Sequence, residues 1–88
     1  MNYEITANHK VYYVHPHAVL RMQQRGISES MVIETLEAGN SWQQDNGRDV
    51  YEKTFYDEDD IGVNAFFVRV VVEEDMLVIV SVYVKEEK

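Results

Sequence analysis

An α+β fold, with two helices grouped on one face of an antiparallel sheet, is predicted from three features of this 88-residue chain. Helical periodicity occupies the stretch from Pro16 to Gly39, a period of two takes over from Ser41, and turn-forming or charged clusters punctuate that second half. The order that follows is a short strand, two helices and a three-stranded antiparallel meander.

Residues Met1 to His9 read as a loose arm or an edge strand. Lys10-Val-Tyr-Tyr-Val14 is β-branched and aromatic, a short strand that leads directly into a helix. That helix begins at about Pro16, whose fixed φ suits a first turn and whose missing N–H is not needed there. Gly26 ends it by taking the left-handed conformation after the last turn. Ser28 is the N-cap candidate of a second helix, with Glu29 in its first turn and Gly39-Asn40 as its stop. Val32, Leu36 and Gly39 share its core face, with Ile33 beside them. Asp45-Asn46-Gly47 is a hairpin turn in which Asn and Gly both tolerate positive φ, followed by a strand from Val50 to Tyr56. Asp57-Glu-Asp-Asp60 is a like-charge run expected as a solvated loop closed by Gly62. Asn64 to Val72 and Met76 to Val84 are the last two strands, joined by Glu73-Glu74-Asp75. On the final strand Met76, Val78, Val80, Val82 and Val84 form the expected core face, and Leu77, Ile79, Ser81 and Tyr83 the other.

Length and a hydrophobic content of 45% fit a single domain with its core at about residues 10–85. There is no cysteine, so neither disulfides nor thiolate chemistry is available. The N-terminus lacks the pattern of a signal peptide, and no run reaches the roughly 18 apolar residues of a membrane span, so a cytoplasmic protein without membrane contact is expected. The net charge of -8 argues against a generic polyanion binder. Its distribution is uneven: residues 1–28 carry +2 and residues 29–88 carry -10.

The cationic part is concentrated in the first helix. Four residues advance about 40° round a helix, so His17, Arg21 and Arg25 fall within an arc of about 80°. Two guanidinium forks one turn apart present bidentate donors to a phosphate, or pair with carboxylates such as Glu29 and Glu34. His17 adds a group whose unperturbed pKa of about 6.5 suits proton transfer near neutrality. His15-Pro16-His17 has no third ligand nearby and fits a cap and a surface imidazole better than a zinc set, and the acidic loop lacks calcium-loop spacing, so no metal or other cofactor is expected.

The stretch His17-Ala18-x-x-Arg21-Met22-x-x-Arg25-Gly26-Ile27-Ser28 resembles the signature of the bacterial domain of unknown function 4258 family. The resemblance extends through Val32, Leu36-x-x-Gly39, Tyr51 and the closing Ser81-Val82-Tyr83, over roughly residues 14 to 84. That family is similar in layout to the RelE-like and barnase-like ribonuclease fold, in which the sheet face carries the active site. The resemblance implies a metal-independent endoribonuclease, often the toxin of a toxin–antitoxin system, that cleaves RNA through a 2′,3′-cyclic phosphate. It places His17 and Tyr83 in proton transfer or substrate orientation, Arg21 and Arg25 on the phosphate, and Ser81 in support. Such enzymes are usually basic, and serine stands at 81 where threonine is usual. The alternative is a non-catalytic interaction module of the same fold, binding a basic protein partner or acting as a polyanion mimic. RNA and a cognate antitoxin are the other expected partners, and the edge strands leave a dimer open. The ribonuclease expectation has a geometric corollary: His17 and Arg21 should face the same concavity as Ser81 and Tyr83.

Overall fold

The computed structural model describes residues 3–59 and 62–86. In chain order it has β1 (Glu4–Ala7), β2 (Lys10–Val14), α1 (Pro16–Arg25), α2 (Glu29–Ala38), β3 (Asn40–Gln43), β4 (Asp49–Asp59), β5 (Gly62–Glu73) and β6 (Val78–Glu86). The strands form one mixed sheet in the order β1-β2-β6-β5-β4-β3, parallel only between β2 and β6. The α+β class holds, but the expected strand count does not: β1 and β3 are added at the two margins, and the antiparallel run spans four strands, β3 to β6.

Both helices obey their local signals. The His15 imidazole Nδ1 accepts from the His17 amide at 3.1 Å and caps α1, Pro16 is its first residue, and Gly26 closes it at φ 67°. Ser28 Oγ accepts from the Met31 amide at 3.2 Å and caps α2. Ala18 and Met22 of α1, and Val32 and Leu36 of α2, are buried in one core with Val68, Val70 and Val72 of β5 and Ile79 and Val82 of β6. Both helices therefore lie on the same face of the sheet. The residues alternating with that set face the other way.

The turns differ more from expectation. The β1–β2 connection is a two-residue turn with Asn8 at φ 54° and His9 at φ 62°, the pattern of a type I′ hairpin, which makes β1 the edge-strand alternative rather than a loose arm. Asn8 also donates from Nδ2 to the Leu36 carbonyl at 2.8 Å, tying this hairpin to the end of α2. At Asn46-Gly47 only Gly47 has positive φ, and Gln44 and Arg48 close the loop by backbone hydrogen bonds. Backbone pairing of Asp57, Glu58 and Asp59 with β5 carries β4 through most of the acidic run expected as loop, whereas Asp60 and the side chains of the whole run lie outside the described residues. Met76 and Leu77 belong to the β5–β6 turn, with Leu77 at φ 53°, and not to the last strand.

A bulge on β6 corrects the expected valine face. Val71 pairs with Ser81 but Val72 pairs with Ile79, so Val80 is an extra residue. One extra residue reverses the alternation. Ile79 therefore faces the helices together with Val82 and Val84, while Val78 shares the open side with Ser81 and Tyr83. Beneath the helices, at the end of the sheet where β2 begins, buried Tyr12 lies in hydrogen-bonding reach of Tyr51, whose hydroxyl donates to the Glu74 carboxylate at 2.5 Å. Burial, then the Glu74 and Asp49 carboxylates, push the Tyr12 phenol up, partly offset by the Tyr51 hydrogen bond. The Tyr51 phenol is pushed up further, by burial first and Glu74 second.

Candidate functional site on the open sheet face

The residues singled out on the helix and on the last strand do not come together. His17 and Arg25 of α1 are exposed and Arg21 is half-buried. Val19 and Gln23, about 200° round the helix from His17 and Arg21 respectively, line a cleft of about 400 Å³ with Leu20, Pro16, Tyr3, Tyr13 and Val14. Tyr13 alternates with core residues Tyr12 and Val14, so it faces the open side of the sheet. α1 buries Ala18 and Met22 against the helix-covered face, so the helix and its cationic stripe lie on the opposite side of the sheet from Ser81 and Tyr83. Ser81 and Tyr83 lie on the open face beyond the sheet. Among the described residues neither Arg21 nor Arg25 pairs with a carboxylate, so the expected pairing with Glu29 or Glu34 is not made either.

Tyr83 has different neighbours. The registers put Asn40, Glu52, Arg69 and Tyr83 in one row across β3, β4, β5 and β6. Directly opposed side chains lie about 5 Å apart at Cβ, so such a row is a contiguous polar strip. Arg69 donates from Nε at 2.9 Å and from Nη2 at 2.6 Å, both to Glu52 Oε2. Its guanidinium also lies over the Trp42 ring, 5.3 Å from the centroid. In the flanking rows stand Ser81, opposite Val71, and Lys85, opposite Phe67. Glu52, Phe67, Arg69, Tyr83 and Lys85 line a cleft of about 250 Å³. Tyr83 is 50% exposed and Trp42 42%, so the strip is open to a ligand, whereas Ser81 is nearly buried.

The twist of the strands and the bulge at Val80 bring this set together, because the bulge is what turns Ser81 and Tyr83 to the same side as Arg69. Glu52 is fixed from behind: the Gly39 backbone lies against its carbonyl, and Asn40 pairs with it. Sequence reasoning missed Glu52, Arg69, Trp42 and Lys85. One signal was available. Arg69 is the lone charge in the apolar run from Ala65 to Val72, and such a residue either faces away from the core or has a partner; here it does both. Chemically the strip offers a carboxylate with one oxygen that makes no hydrogen bond among the described residues, two cations, a phenol and two aromatic faces. Among the described residues no group of three or more His, Asp or Glu side chains is gathered as a metal site.

A family model described as a domain of unknown function, DUF4258, matches residues 14–84. The chain belongs to this family. The DUF4258 match takes in both helices and β3 to β5 whole, and leaves β1 and most of β2 outside. No curated protein and no solved structure matches the chain. In this DUF4258 chain the helix signature and the open-face strip lie on two separate surfaces. No helix among the described residues is long and apolar enough to cross a membrane.

Proposed function

We propose that the chain is a metal-independent endoribonuclease of RelE-like toxin type whose site is the open sheet face. The observation that carries this reading is the row Glu52, Arg69, Tyr83, which sets an acceptor, a cation and a hydroxyl side by side in one cleft with Lys85. Glu52 Oε1, which makes no hydrogen bond among the described residues, takes the proton of a ribose 2′-hydroxyl while Oε2 keeps both Arg69 bonds. The 2′-oxygen attacks the adjacent phosphorus, and Arg69 and Lys85 hold the charge that grows on the non-bridging oxygens. The bond from phosphorus to the 5′-oxygen breaks as Tyr83 supplies the proton, leaving a 2′,3′-cyclic phosphate and a 5′-hydroxyl. Exposed Trp42 and half-buried Phe67 give the flanking bases a stacking surface.

The test is incubation of purified protein with RNA in EDTA, with detection of cyclic phosphate ends. Glu52→Gln and Tyr83→Phe are each expected to lower cleavage by about 100-fold, the low end of what a positioned acid or base contributes. Wild-type protein that leaves RNA intact at every salt concentration, with and without ribosomes, sinks the proposal. The second reading is a non-catalytic module that binds a basic protein partner or mimics a polyanion. The net charge of -8 favours it, since the field of the whole molecule opposes an approaching RNA. Capture of a basic partner by a chain that turns over no RNA decides for the module; in a toxin–antitoxin pair the captured partner is the cognate antitoxin, and RNA turnover persists without it.

A further inference from the structure

The stripe His17, Arg21, Arg25 remains without a role in the cleft, and its surroundings are unusual for this protein. The chain has 16 acidic residues against 8 basic ones. Lys10, Arg48 and Arg69 are each paired, with Glu74, Glu73 and Glu52, and Lys53 lies over the Phe55 ring at 5.0 Å. Arg21 and Arg25 pair with no carboxylate among the described residues, on a helix that contains no acidic residue. Going round α1 from Leu20, the outward arc carries Leu20, Gln24, His17, Arg21 and Arg25 in turn. Leu20 is 49% exposed. The outer face of α1 is thus cationic along one side and apolar at its other margin, on a molecule that is otherwise acidic.

We infer that this face of α1 docks an acidic peptide segment of a partner protein, with carboxylates spaced to meet Arg21 and Arg25 and an apolar side chain seated on Leu20. Charge complementarity selects the occupant. Unpaired guanidinium groups one helical turn apart, about 6 Å along the axis, match carboxylates one turn apart on a helix or two residues apart on a strand. A peptide, unlike an RNA strand, also brings an apolar side chain for Leu20, and Gln24 between them is a neutral hydrogen-bonding group. The stripe lies on the helix layer, so this contact leaves the open sheet face free. It does not depend on the ribonuclease proposal.

Random-sequence peptides displayed on phage are selected on the wild-type chain and counter-selected on an Arg21→Gln/Arg25→Gln variant, whose fold is checked by circular dichroism. Glutamine keeps helix propensity at both positions. The expected peptides are rich in Asp and Glu with at least one large apolar residue. They are expected to bind the double variant about tenfold or more weakly, to bind Leu20→Gln more weakly, and to release as salt rises. They are expected to bind Glu52→Gln as tightly as wild type. Selected peptides without acidic enrichment, or peptides that bind the double variant equally well, overturn the inference. So does polyuridylate that binds the wild type through the same arginines and displaces the peptides at equal charge, because the stripe then belongs to a nucleic-acid path.

Discussion

Gly39 is the position where a single added carbon is expected to do the most damage. Its φ of -79° is open to any residue, so no backbone strain is at issue. A Cβ there meets the Thr35 carbonyl oxygen at 2.5 Å and the Glu52 carbonyl oxygen at 2.6 Å, and real Cβ atoms essentially never come under 3.0 Å. Relief needs a displacement of about 0.5 Å at each contact. Both obstacles are backbone, one in the last turn of α2 and one in β4, so neither can swing aside as a side chain does. Overpacking of this kind typically costs 1–3 kcal/mol, and with two rigid obstacles the expected cost of Gly39→Ala is about 3 kcal/mol. At about 4–8 °C per kcal/mol for a domain of this size, Tm falls by about 12–24 °C. The control is Gly47→Ala, which has φ 85° and nothing within 4 Å of its Cβ. Its cost is that of one left-handed residue, about 1–2 kcal/mol. Thermal and urea unfolding followed by circular dichroism measure both. If Gly39→Ala loses no more stability than Gly47→Ala, the close approach of α2 to β4 is not as described. The clash also moves Glu52, so any RNA cleavage should fall further than the loss of folded protein explains.

Three other outcomes are expected. The Tyr51 and Tyr12 phenols are raised in the folded state, so their contribution to stability is complete below the unfolded value of about 10 and is lost as pH rises beyond it toward the folded values; urea unfolding above and below that pH should show a loss that Tyr51→Phe reduces. Arg69→Lys keeps the charge but removes the planar group that bonds Glu52 through two nitrogens and covers Trp42, so RNA cleavage should fall about tenfold or more, and equal activity refutes the assigned geometry. His17→Ala should leave cleavage within about twofold of wild type, because its helix packs on the other face of the sheet; a loss near the 100-fold of an essential acid or base places the chemistry on the helix instead.

Local chemistry made the helices legible. Pro16, Gly26 and Ser28 each act within one turn of the chain, and all three stand where their conformational preferences put them. The β1–β2 hairpin escaped because neither Asn8 nor His9 is glycine, although asparagine and histidine are among the side chains that tolerate positive φ. Solvation alone points to a loop at the acidic run from Asp57, yet charge density does not prevent a backbone from pairing at the end of a long ladder. β3 is four residues with every side chain exposed, so no burial pattern announces it.

The site was less legible than the fold, because its residues meet only through registers. Tyr83 could be assigned to the polar side of its strand, but its partners depend on two further ladders, and a slip of one residue in either replaces Arg69 or Glu52 with a core valine or with Lys53 or Tyr51. The bulge at Val80 makes the difficulty concrete. In a run of alternating valines nothing marks the extra residue, since Val78, Val80, Val82 and Val84 satisfy either face. Its placement is decided by the core, which takes Ile79 and Val82 beneath the helices and leaves Val80 over. The helix signature is the reverse case. Its regular spacing is visible in one dimension, yet spacing says only that His17, Arg21 and Arg25 share a flank, and the direction of that flank is set by how Ala18 and Met22 dock on the sheet. A motif that is sharp in sequence and a site that is assembled in space have come apart here, and for that reason the His17 variant and the Glu52 variant, assayed side by side, discriminate between the two surfaces.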